Sequence, residues 1–276
     1  MDAFSLVYDS APLQEEVAIL GRPHALLRAS ARAPSADWFA RLSDVAPDGT
    51  VTQITGAGLN GAQRESMSEP HDLEPGKAYP LDIEMHLTSW VFPKGHRIRI
   101  AISNSLWPMV LPTPYAMTTS LELGGSEGSH LLLPVVPVHG ASPPAFQPPQ
   151  PSEERRDIRS TGELFPGEWT SIRDEVNRKT TVRWHGKTET TYPWGKETDY
   201  ENLTYDADDA RPESSAVQGE AKTVFELKNR VLTWQGHLSV TTDQKNFYYK
   251  YTREVLKDGR MIKTKTWQEA IPRDHQ

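Results

Sequence analysis

The chain has 276 residues, with 30 Lys and Arg against 37 Asp and Glu, a formal net charge of −7 and no cysteine. A net acidic chain with scattered basic residues cannot concentrate the positive surface that phosphate backbones need, which excludes nucleic acid as a partner. The lack of cysteine excludes disulfides, thiolate metal sites and a cysteine nucleophile.

No apolar run approaches the ~20 residues that cross a bilayer as a helix, so no membrane partner is expected. The opening MDAFSLVYDS has neither the basic nor the apolar region of a signal peptide, and a cytoplasmic location is the expectation. The length allows one or two domains with a substantial core.

In chain order, residues 1–20 read as an extended lead-in ending in the apolar run Val17-Ala18-Ile19-Leu20. His24–Arg32 and Trp38–Val45 are predicted strands, separated by the breaker Pro34-Ser35. Asp48-Gly49 is a hairpin turn signal leading into a strand at Val51–Thr55. Gly56–Gly61 reads as a glycine-rich loop and Arg64–Ser68 as a further strand. Glu74-Pro75-Gly76 then turns the chain. From Tyr79 to Leu87 every second residue is apolar, with Asp82, Glu84 and His86 between them, the pattern of a strand with one face in a core. Pro93-Lys94-Gly95 breaks the chain, after which Ile98, Ile100 and Ile102 alternate with polar residues. These two strands are expected to pair at the centre of an antiparallel sandwich. Pro108–Pro114 is irregular, and Thr118–Leu123 and His130–Val136 are expected to close the sandwich.

Residues 141–152, ASPPAFQPPQPS, contain five prolines and should form an extended connector. The predicted division is therefore a β sandwich at 1–140, a linker at 141–152 and a second β domain at 153–276. In the second domain Thr180–Trp184 is expected to turn at His185-Gly186 and pair with Thr188–Tyr192. Further strands are predicted at Glu201–Tyr205, Ala221–Leu227, Val231–Thr241, Phe247–Leu256 and Met261–Ala270, the last two joined by Lys257-Asp258-Gly259-Arg260. Long consecutive strands with tight turns predict an antiparallel meander, curved or barrel-like.

One stretch carries a family likeness. VFPKGHRIRIAISNSLWP, with Gly95-His96-Arg97, Ser103-Asn104-Ser105 and Trp107-Pro108, resembles the signature of the C-terminal β domain of the X-Pro dipeptidyl-peptidase / cocaine-esterase (CocE/NonD) family of serine hydrolases. Leu42–Gly49 resembles the strand and Asp-Gly turn of that domain, and Ser5–Ser10 its lead-in. The likeness covers roughly residues 5–138. It implies a jelly-roll, galactose-binding-like domain whose partner is an α/β-hydrolase catalytic domain that this chain does not contain. A surface that normally docks another domain is then a route to self-association.

Several residue sets invite a chemical reading. Gly124-Gly125-Ser126-Glu127-Gly128 matches G-x-S-x-G, but a nucleophile elbow needs a strand before it and a helix after it, and Ser129–Pro134 is strand-like. His96 with Ser103 or Ser105 and Asp82 or Glu84 would make a hydrolytic triad, yet strand geometry keeps these groups apart. The structural reading of His96 is preferred, with its ring bonded to backbone near the turn. Asp82, Glu84 and His86 on one strand face do not converge on one ion. Asp206, Asp208 and Asp209 lack the fixed spacing of a calcium loop and read as a solvated loop.

No catalytic residue, metal ligand or cofactor is assigned. The signature residues Gly95, His96, Arg97, Trp107 and Pro108 are expected to be structural. Trp90, Trp107 and Tyr115 are candidates for docking or ligand stacking, and Trp169, Trp184, Tyr192, Trp194, Tyr200 and Tyr205 cluster in the second domain. The function expected is that of a non-catalytic C-terminal portion of such a hydrolase. A carbohydrate-binding sandwich is the alternative.

Overall fold

The computed structural model describes residues 4–125, 127–137, 145–149 and 157–276. The fold is all-β and antiparallel, and the chain divides into two compact units, Met1–Ala145 with His275–Gln276, and Phe146–Asp274. No helix among the described residues is long and apolar enough to cross a membrane.

The first unit contains β1 (Leu6–Asp9), β2 (Val17–Gly21), β3 (His24–Ala31), β4 (Asp37–Val45), β5 (Val51–Asn60), β6 (Tyr79–Glu84), β7 (Thr88–Phe92), β8 (Arg97–Ser103), β9 (Thr119–Leu121), β10 (His130–Leu132) and β11 (Val135–Val136). One sheet runs β1-β8-β4-β5, a second runs β10-β3-β6 with β9 also on β3, and a third runs β11-β2-β7. The core between the layers takes Leu27, Trp38, Leu42, Leu81, Ile83, Met85 and Phe92, each buried. Strand β4 lies inside its sheet and is buried along its whole length.

The alternation at Tyr79–Leu87 and Ile98–Ile102 gives strands, but not the expected pair. β6 lies on β3, while β8 lies between β1 and β4 in another sheet, and β7 crosses between them on β2. Regular strand ends at Glu84, and Leu87 is exposed. The lead-in is also more ordered than its composition suggests. Leu6–Asp9 pairs with β8, and Asp9 accepts two hydrogen bonds from Arg99 at 2.7 and 2.8 Å.

The glycine-rich segment 56–61 is not a loop. β5 continues through Gly58 because the Phe39 ring of β4 lies against it, and a Cβ there would stand 2.4 Å from the ring. A short 3-10 turn, Gly61–Gln63, follows, and Arg64–Ser68 is irregular rather than a strand.

The second unit is one seven-stranded meander in sequence order: β12 (Arg159–Asp174), β13 (Lys179–Tyr192), β14 (Gly195–Asp208), β15 (Ala216–Leu227), β16 (Arg230–Thr242), β17 (Asn246–Lys257) and β18 (Arg260–Pro272). Among the described residues β12 and β18 pair only inward, so the sheet is open and not a barrel. The expected turn at His185-Gly186 lies instead inside β13, and the chain reverses at Pro193-Trp194. Gly186 marks a close backbone approach, since a Cβ there would lie 2.4 Å from the Leu164 carbonyl oxygen. That carbonyl belongs to a bulge of β12 between Glu163 and Glu168, where Pro166-Gly167 hides the strand from a period-2 reading. The Asp258-Gly259 turn does form, with φ of 51° and 75°, the mirror-image geometry that twisted hairpins favour.

Asp37 opens β4 at 9% exposure, and burial raises its pKa to about 6. The folded form therefore holds the proton more tightly than the unfolded chain. Asp37 contributes stability below about pH 4 that is lost as pH rises through about 6. Asp37→Asn should abolish that loss, leaving the variant more stable than wild type at pH 7.5 by up to about 2–3 kcal/mol and the difference small at pH 4. Urea unfolding at both pH values checks this, and a pH-independent difference would contradict it.

Candidate functional site

The site is built where the β7–β8 turn meets the end of β4. In the turn Pro93–His96 the His96 amide donates to the Pro93 carbonyl at 3.1 Å, and Gly95 has a φ of 87°. A residue at the third position of such a turn must take positive φ, which explains glycine there. The Gly95 amide also donates to the Leu13 carbonyl, and the Leu13 amide to the His96 carbonyl, both at 2.9 Å, so the turn is clamped by the segment before β2. Arg97 donates to the Ser10 carbonyl at 2.8 Å.

Residues 38, 40 and 42 of β4 point into the core, and Asp44 continues that face. A carboxylate there, 5% exposed, needs partners to offset lost hydration. His96 Nδ1 donates to one Asp44 oxygen at 2.8 Å, and the Trp90 indole Nε1 donates to the other at 3.1 Å. The ring of His96 thus bonds a side chain on β4, not the turn backbone. The pairing with Asp82 or Glu84 is absent as well, since Asp82 bonds His24 at 2.7 Å and Glu84 bonds Arg22.

Asp44 lies within the Leu42–Gly49 stretch, and no local pattern marks it as a site residue. Its signal was a single acid at the end of a strand whose other core-facing positions are Trp38, Ala40 and Leu42.

The remaining candidates fall elsewhere. Ser103 Oγ donates to the Ser105 carbonyl at 3.0 Å and accepts from Arg41, so it does not complete a triad. Ser126 lies outside the described residues. Trp90 is half-buried and packs on the core, with its N–H committed to Asp44. Trp107 and Tyr115 are half-buried in the irregular segment after β8, and the Trp107–Pro108 peptide is cis. Beside Trp107 the side chains of Met109 and Val110 are exposed, as are Phe4 and Leu6 at the chain start.

In the second unit the acids 206–209 are partnered separately rather than solvated together. Asp206 accepts from Thr181, Asp208 caps the Ala210 amide, and Asp209 binds Arg173 through both oxygens. Tyr200 sits between Lys187 and Lys222 at 5.3 and 6.0 Å, on the opposite face from Trp169, Trp184 and Tyr205. Tyr192 stacks on Trp194 at 4.5 Å.

The second carboxylate oxygen of this Asp–His pair is held by an indole, and its histidine makes no hydrogen bond to a hydroxyl among the described residues. What it does is tie β4, β7 and the β7–β8 turn together. The family described as the X-Pro dipeptidyl-peptidase C-terminal non-catalytic domain matches residues 2–134. Residues 2–134 belong to that family.

The chain is 29% identical over 145 residues to the cocaine esterase of Rhodococcus sp. (strain MB1 Bresler), a match covering 48% of this chain and 25% of the esterase. The chain thus spans about a quarter of that relative. Among solved structures it is similar to an α-amino acid ester hydrolase, at 25% identity and a TM-score of 0.46 over 48% of this chain and 26% of that one. It is similar also to an aminopeptidase from a marine sediment Thaumarchaeota archaeon, at 23% identity and a TM-score of 0.46 over 49% and 26% of the two chains.

If the Asp44 carboxylate is the tie, Asp44→Ala leaves two inward-facing donors without an acceptor and should cost about 2–4 kcal/mol. Asp44→Asn keeps one acceptor oxygen and should cost less. Chemical denaturation with tryptophan fluorescence reads both, and an Asp44→Ala variant as stable as wild type would refute the assignment.

Proposed function

We propose that this chain is the non-catalytic C-terminal portion of a CocE/NonD-type serine hydrolase. Its first unit packs on an α/β-hydrolase domain and helps wall the substrate pocket or an oligomer contact. The observation that carries the reading is the family match over residues 2–134 to a domain described as non-catalytic. The absence of a hydroxyl on His96 among the described residues agrees with it.

On this reading the first unit has the family's jelly-roll arrangement, and the proline-rich 141–152 is the connector to the second domain. The exposed apolar side chains Met109 and Val110 beside Trp107 fit a docking surface, because exposed apolar groups gain from being covered. The whole enzyme would cleave esters or amides by acyl transfer from a serine in its catalytic domain.

A fluorophosphonate marks activated serines, and intact-mass analysis of the treated 276-residue chain should show no adduct. One stoichiometric adduct would overturn the accessory reading and make the chain an enzyme in its own right. For docking, Trp107→Ala should leave the circular dichroism spectrum unchanged and weaken association with a separately produced α/β-hydrolase domain of the same enzyme about tenfold or more. Unchanged association would remove Trp107 from the interface.

A further inference from the structure

The seven-stranded sheet of the second unit has two chemically different faces. Residues directly opposite each other in an antiparallel sheet share a face. The register places Trp169, Trp184, Leu203, Leu238, Tyr251 and Trp267 in one row across the sheet, with Gly219 between Leu203 and Leu238. The next row on the same face includes Val182, Tyr205, Val217, Val240 and Tyr249. On the other face stand Asn202, Gln218, Glu220, His237, Ser239 and Lys250.

The second unit has no other strand layer among its described residues, and Val182 is there the one apolar side chain fully buried. The apolar row is therefore only half-covered by its own neighbours, and Trp169 stands 50% exposed.

Charge on this apolar face is divided beside the Trp169–Trp267 row, with Arg173, Arg230 and Glu269 also on the face but outside that division. Glu201, Asp199 and Glu197 lie along β14. Arg253 and Lys257 lie on β17, and Lys265 and Lys263 on β18, at the same levels along the strands. Arg253 and Glu201 share a row, joined through Ala221 and Gly236. Three strand spacings, about 14 Å, separate them, too far to pair within one sheet. Neither forms an ion pair among the described residues, and desolvation with the neighbouring Asp199 raises the pKa of Glu201.

A two-fold axis along the central strand β15, in the plane between two stacked sheets, brings β14 of one copy over β16 of the other. It sets the acidic side of each face one strand from the basic side of its partner, within reach of an Arg or Lys side chain. An axis across the strands would instead lay the acids over the row of Tyr205 and Val240.

We propose that this face is an isologous interface, on which a second copy of the chain packs face to face to make a two-layer sandwich. The available area suits it. Seven strands of ~12 residues present on the order of 1,300 Å² per face, against the ~800 Å² per partner of a standard stable interface. The partner is a second copy because the face is complementary to itself in both charge and apolar surface.

The chain has no cysteine, so single cysteines report without background. Ala221 lies on β15, on the axis and on the apolar face, while Gln218 lies on the same strand and the opposite face. Ala221→Cys should be linked to its own copy by a short bis-maleimide, and Gln218→Cys should not. In sedimentation velocity the 276-residue chain should be a dimer at micromolar concentration. Glu201→Lys and Arg253→Glu should each weaken it at least about tenfold, and the reciprocal double variant should restore it.

Circular dichroism confirms folding of each variant, and Ala221→Cys tests the face without altering any charge. A monomer at all concentrations, or a dimer that neither charge reversal weakens and that Gln218→Cys links as well as Ala221→Cys, would overturn the proposal.

Discussion

A carboxylate on the core-facing side of a fully buried strand is the constraint on which the first unit turns. Asp44 follows Trp38, Ala40 and Leu42 along one face of β4, where an ion without partners would be too costly to keep. Its two oxygens draw in an indole from β7 and an imidazole from the following turn. Those two donors come from a segment whose neighbours in sequence belong to different sheets, so satisfying one charge fixes how the layers meet. The imidazole spends one nitrogen on a buried acid and so ties its turn to β4.

The two units are stabilised by different means. In the first, layers of sheet enclose a core in which Trp38, Leu42, Ile83 and Phe92 are almost wholly removed from water. In the second, stability comes from neighbour-to-neighbour pairing along a single layer, with rings laid over glycines to close local gaps. Tyr251 lies over Gly236, where a Cβ would meet its hydroxyl at 2.6 Å, and stacks on Trp267 at 5.7 Å. Long hairpins supply many local contacts at low loop-closure cost. They leave one face of the layer apolar, with Trp169 half exposed on it.

Alternation at Tyr79–Ile83 and the Asp48-Gly49 and Asp258-Gly259 turns were legible because they depend on residues adjacent in sequence. The likeness around Gly95-His96-Arg97 was legible for the same reason, since the turn is written in four consecutive residues. Glycine was the recurrent source of error. Gly56 to Gly61 and Gly186 look like loop residues in a one-dimensional reading, yet they sit in or beside strands where a ring or a carbonyl from a neighbour occupies the space of a Cβ. Pro166-Gly167 hid β12 in the same way, because a bulge interrupts the alternation that identifies a strand.

The sequence by itself determined the all-β class, the position of most strands and the family of the first 134 residues, because side-chain period and turn chemistry are local properties. Which strands pair, which sheet each joins and who shares a buried charge were decided only by the tertiary structure. β6 and β8 have the pattern of a hairpin and lie in different sheets, since pairing is set by what each face must cover rather than by adjacency. Asp44, Trp90 and His96 are separated by up to 52 residues and are brought together by a hydrogen-bonding requirement that no local pattern records.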